Sequence, residues 1–159
     1  MLKSTTFFLI CTFFSVQLLA QCVPDANFVP VGANYGLSPD TLVTAYVNQS
    51  YNQDLTFVLP LDTLVEIEGF GENLIAFEDY HITSISLPIG LSWECNNSED
   101  NCHYNPTISQ YGCVNLYGVP LEYGEFNVDV TVVATHELSW AVGTAVSYTH
   151  LTLPTILLV

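Results

Sequence analysis

Glu66, Glu68, Glu72, Glu78 and Asp79 crowd into one short stretch of this 159-residue chain. Clustered carboxylates can hold calcium, which takes about six to eight oxygen ligands. Strand alternation would set Glu66 and Glu68 on one face, sharing an ion or facing water. The D-x-D-x-D-G loop of an EF-hand is missing, so solvated carboxylates are the first reading and calcium at Glu66 and Glu68 the alternative. Trp93, Tyr104 and Tyr111, with Tyr117 and Tyr123 nearby, could form an aromatic platform for glycan. Such side chains serve equally in a core or at its border. His81, His103 and His136 would suit acid–base work, yet no G-x-S-x-G turn, HExxH helix, P-loop or dinucleotide fingerprint accompanies them. No enzyme is expected, and no cofactor unless calcium.

Cysteine offers the other chemistry. Cys22, Cys95, Cys102 and Cys113 remain once Cys11 is assigned to an export signal. An even count in an exported chain reads as two disulfides. Of the three possible pairings, Cys95–Cys102 closes a polar loop and Cys22–Cys113 ties an N-terminal arm to a strand; these are the pairs expected. A metal site of Cys95, Cys102, His103 and Cys113 is the rival. Zinc fingers and ribbons pair ligands about two to four residues apart, and Cys95 and Cys102 lie farther apart than that.

The ends of the chain set the frame for these groups. Lys3 precedes an apolar run from Phe7 to Ala20, too short for the about 20 residues of a membrane-spanning helix. It reads as a secretory signal spanning 1–20, cut after Ala20. An acylated Cys22 is the alternative, but Gln21 is not the small residue a lipobox requires. At the other end, Val146-Ser147-Tyr148-Thr149-His150-Leu151-Thr152-Leu153-Pro154-Thr155 is one translation frame of a transposase-based sequencing adaptor, GTC TCT TAT ACA CAT CTG ACG CTG CCG ACG. Residues 146–159 are therefore read as a non-native tail. Any strand formed there is expected to stand in for a native one, in a domain truncated after Ala145.

Charge excludes some partners. The single Lys or Arg is Lys3, against 16 Asp and Glu. After signal cleavage the negative field repels phosphate backbones and anionic lipid, so neither nucleic acid nor membrane insertion is expected.

The elements that position these groups are strands. Residues 21–42 carry several prolines and glycines and no period, which reads as an irregular arm. Tyr51 to Leu59 alternates, with Tyr51, Leu55, Phe57 and Leu59 on one face and Pro60 ending the run. Val65 to Glu68 alternates again, its carboxylates toward water, before Gly69 and Gly71. Leu74–Phe77 and Ile82–Leu87 read as two more strands. His81 is placed at a strand start, and His103 and His136 in loops. Phe126 to Val132 shows the clearest period, with Phe and Val inward. Short strands punctuated by Gly and Pro, without sustained helical period, predict an all-β sandwich over residues 43–145.

Three segments carry a resemblance: Leu87-Pro88-Ile89-Gly90-Leu91-Ser92, then Gly112 to Pro120 with Gly118-Val119-Pro120 at its end, then Gly124-Glu125-Phe126-Asn127-Val128-Asp129-Val130. In order they resemble the LPxGLS … GxxxxxGxP … GxFxVxV series of immunoglobulin-like, cadherin-related repeats in bacterial surface proteins. The likeness covers roughly Val43 to Ala134, departing at Tyr117 and Val119, where small or hydroxyl residues are common. The added cysteines are similar to the N-terminal variant of type IX-exported proteins. The resemblance implies an immunoglobulin-like β-sandwich, secreted or at the cell surface, serving as a non-catalytic structural or adhesive module. The partners it implies are neighbouring domains of the same polypeptide, with surface glycans or proteins as further candidates. Asp40-Thr41-Leu42 and Asp62-Thr63-Leu64 resemble the short O-glycosylation acceptor of that lineage.

Overall fold

The computed structural model describes residues 22–32, 34–69, 71–137 and 144–159, of which 67, 98, 137 and 144–155 are described by their backbone alone. The segment expected to be an export signal, 1–20, and residues 138–143 lie outside the described residues. Nine strands are described: β1 (Gly36–Ser38), β2 (Tyr51–Val58), β3 (Asp62–Ile67), β4 (Gly71–Ser86), β5 (Leu91–Cys95), β6 (His103–Tyr104), β7 (Tyr111–Gly118), β8 (Gly124–Glu137) and β9 (Thr144–Leu158). A single 3₁₀ turn at Ser98–Asp100 is the only helical element among them.

The strands form two antiparallel sheets, β1-β2-β7-β5 and β3-β4-β8-β9, with β6 pairing to β4. The chain is thus an all-β sandwich. Taking β1, β2, β7 and β5 as A, B, E and D, and β4, β8 and β9 as C, F and G, the order is that of a constant-type immunoglobulin sandwich. β3 is an extra edge strand. The core between the sheets joins Tyr51, Leu55, Val114 and Leu116 from one to Tyr80, Ile82, Val128, Val130 and Val132 from the other. Leu55, Leu116 and Val128 are wholly buried, with Phe57 and Phe126 at the border. Period-2 placement of these apolar residues is what removes one face of each strand from water.

The outer face of the first sheet is covered as well. Thr56, Val58 and Cys113 are buried there, and Thr56 sits opposite Cys113 across β2 and β7. The arm crosses above them: the Asp25 amide donates to Thr56 Oγ1 at 2.9 Å, and the Tyr111 hydroxyl donates to the Phe28 carbonyl at 3.0 Å. Residues 22–42 are mostly irregular, as their Pro and Gly content implies, with β1 as the one strand within them.

Two expectations are corrected. Leu74–Phe77 and Ile82–Ser86 are not separate strands but parts of β4, which runs unbroken for 16 residues and ends just before Leu87. Register shifts between Phe77 and Asp79 and between Ile82 and Ser84 interrupt the alternation without ending the strand. A bulge adds an unpaired residue and changes which face follows, so a period count sees a gap. The histidines are corrected likewise: His81 lies within β4, His103 in β6 and His136 in β8, all paired to neighbouring strands.

Candidate functional site

The loop between β5 and β7 gathers most of the chemistry. The chain leaves β5 at Cys95, makes the turn at Ser98–Asp100, and enters β6 after Asn101 and Cys102, both with positive φ (50° and 61°). Cys95 and Cys102 are joined as a disulfide, as are Cys22 and Cys113, matching the expected pairs. β5 belongs to one sheet and β6 pairs with the other, so Cys95–Cys102 staples the two sheets at this end. Cys22–Cys113 clamps the arm to the outer face of β7. Disulfides of this kind are consistent with an oxidising or extracellular setting, and no helix among the described residues is long and apolar enough to cross a membrane.

The backbone of the loop is held by side-chain amides. Asn96 Oδ1 accepts from the Tyr104 hydroxyl and from the Cys113 amide, both at 2.9 Å. Asn97 Nδ2 donates to the His103 carbonyl. Asn105 Oδ1 accepts from the Thr107 amide at 2.9 Å and its hydroxyl at 2.6 Å. A turn without regular ladders satisfies its polar groups in this way.

Pairing of β4 with β6 brings two aromatic couples together. Tyr80 faces Tyr104 and His81 faces His103. The histidine rings stack at 3.9 Å, and His103 Nδ1 lies 2.8 Å from Asp79 Oδ2. The carboxylate accepts, which assigns the ring proton to Nδ1. Such a pair orients an imidazole. Among the described residues no serine, threonine or cysteine side chain hydrogen-bonds to His103. Burial raises the Tyr104 hydroxyl to about 12, against a smaller lowering by a backbone hydrogen bond at Asn97. Tyr51 is pushed up to about 12 and Tyr80 also upward, both by burial.

Beside this cluster is an open cleft of about 250 Å³ lined by Asn97, Asp100, His103, Tyr104, Ile108 and Tyr111 among others. It falls just short of the roughly 300–1,000 Å³ of pockets that enclose small molecules. Two glycan candidates, Tyr104 and Tyr111, meet here. Tyr104 is buried and edge-packed on Phe57, and Tyr111 is half-buried with its hydroxyl committed to Phe28. Trp93 lies on β5, half-buried against the core and not among the residues lining the cleft.

The calcium candidates are elsewhere. Glu66 is in β3, directly across from Glu72 in β4, and Glu68 is in the turn beyond the strand end. Both are exposed. No group of three or more His, Cys, Asp or Glu side chains suited to a metal is found among the described residues.

Asp79, Asn96, Asn97 and the His81–His103 stack went unread as a group in the sequence. They come from β4 and from the β5–β7 loop, and only the β4–β6 register joins them. Comparison with family models, curated proteins and solved structures finds no match to this chain.

Proposed function

We propose that this chain is a non-catalytic structural or adhesive immunoglobulin-like module of a larger bacterial protein, exported to the cell surface or medium. The observation that carries the reading is the placement of the two cystines. One fastens sheet to sheet and the other fastens the arm across a sheet's outer face. Cross-links placed this way stabilise a small domain by restricting its unfolded chain, which suits a module that holds its neighbours apart outside the cell. The motif series from Leu87 to Val130 supports membership of the cadherin-related repeats, because its glycines and prolines sit at sheet corners. Fractionation of the source cells tests the reading: the protein should be extracellular or surface-bound, begin near Gln21, and contain no free thiol. A cytoplasmic protein with reduced cysteines would sink it.

Glycan binding is the second reading, favoured by the open cleft beside Tyr104 and Tyr111. A glycan array separates it from a pure spacer. Calcium is separated by melting in millimolar calcium, since an ion bound only to the folded state must raise the midpoint.

A further inference from the structure

The β3–β4 hairpin carries an apolar pair where a two-sheet domain has no use for one. Leu64 and Leu74 are directly cross-strand and are 64% and 56% exposed. They share the face opposite to Thr63 and Ile75, the latter being buried. β8 reaches β4 only as far as Ala76, so from Gly71 to Ile75 the described partner of β4 is β3 alone. Among the described residues β3 is also the terminal strand of its sheet, which leaves a row of its backbone donors and acceptors without a described strand partner.

The charges on that face are arranged about the leucines. Along β3 every second residue gives Asp62, Leu64 and Glu66, and across β4 they meet Ala76, Leu74 and Glu72. Glu66 and Glu72 are like charges directly opposite, an arrangement that weakens a sheet unless a cation lies between. Among the described residues there is no Lys or Arg to lie there. Acidic residues on an edge usually prevent pairing with another copy. Here they do so by one sign only, and they flank an apolar centre instead of replacing it. A second copy is repelled; a basic strand is not.

We propose that the free edge of β3 docks an extended basic segment of another protein, added as a strand, with an apolar side chain against Leu64 and Lys or Arg beside Asp62 and Glu66. Backbone pairing supplies affinity and the acid–apolar–acid order supplies selection. The inference does not rest on the spacer reading, since a spacer needs no such edge and a docking edge needs no spacer.

The probe is the end-blocked, fluorescently labelled peptide Thr-Lys-Thr-Val-Thr-Lys-Thr, whose alternate residues read Lys, Val, Lys in either direction. Binding to the full oxidised chain is followed by fluorescence polarisation at physiological salt, and hydrogen exchange maps the site. The expected result is saturable binding that slows exchange at Asp62–Ile67. A peptide with Glu for Lys, and one of the same composition in scrambled order, should each bind at least about ten-fold more weakly. Glu66→Lys and Leu64→Thr, each checked for an unchanged melting midpoint, should weaken binding similarly. Equal binding of the scrambled peptide, no saturation at millimolar peptide, or protection mapping away from β3 would each overturn the proposal. The peptide comparisons need no variant, so a misfolded variant leaves the test intact.

Discussion

Gly90 and Gly118 show what single residues do in this fold. Gly90 has φ +94°, and a Cβ added there would lie 2.1 Å from the Val119 carbonyl oxygen; one on Gly118 (φ +136°) would lie 2.3 Å from the Gly90 oxygen. The Val119 amide donates to that same Gly90 oxygen at 2.9 Å. The two glycines therefore allow β5 and β7 to close on each other at a sheet corner. Their motif was legible in the sequence as strand breaks, but their mutual contact was not, because it depends on the Leu91–Gly118 register. Gly69 has φ +85°, and a Cβ added there would meet only open space. Gly90→Ala is expected to cost upwards of about 3 kcal/mol, and Gly69→Ala only about 1–2 kcal/mol from backbone strain. Urea denaturation of both variants checks the order. The buried tyrosines make a second prediction. Tyr51 and Tyr104 titrate near 12 in the folded chain against an ordinary 10.0, so the unfolded chain loses their protons first. Their contribution is whole below pH 10 and is lost as pH rises toward 12, since the folded state binds more protons there. Melting midpoints should hold steady to about pH 10 and fall above it; a midpoint that rises over that interval would contradict the assignment.

At the level of elements, alternation identified β2 and β8 because each keeps an inward row of apolar residues. It divided β4 because bulges shift that row. It passed over β6, whose two residues are too few to show a period and whose pairing is set by the nearby cystine. The cystines themselves were legible, since four cysteines outside the expected signal leave three pairings. Their different placements predict different losses. Cys22–Cys113 spans 91 positions and Cys95–Cys102 only 7, so the chain-entropy model assigns the greater stabilisation to the former. Replacing Cys22 and Cys113 by Ala should cost about 3–5 kcal/mol, and replacing Cys95 and Cys102 about 2–3 kcal/mol. Limited proteolysis adds a qualitative difference. The first pair of changes should open the arm at residues 22–38, the second the loop at 96–102.

Across the whole molecule, closure of the sandwich depends on β9. It pairs with β8 from Gly124 to Glu137, and its end lies beside the segment before β2. The Ala45 amide donates to the Leu157 carbonyl at 3.0 Å, the Val159 amide to the Ala45 carbonyl at 3.0 Å, and the Val47 amide to the Val159 carbonyl at 2.8 Å. Ile156 and Leu158 are buried at 0% and 2%, whereas Leu157 and Val159 face outward. The alternation of this segment thus meets the core at two described positions. What the edge of β8 requires is strand propensity and an inward apolar row, which Thr, Val, Ile and Leu can supply without a particular sequence. The fold should accordingly resist loss of the apolar side chains at residues 156 and 158. Ile156→Ala or Leu158→Ala should each cost about 2–5 kcal/mol, as large-to-small changes in a core do. A chain ending at Ala145 leaves β8 without its partner strand and should bind a hydrophobic dye and melt without a sharp transition. Sharp melting of that shorter chain at the parent midpoint would mean that the sandwich closes without β9.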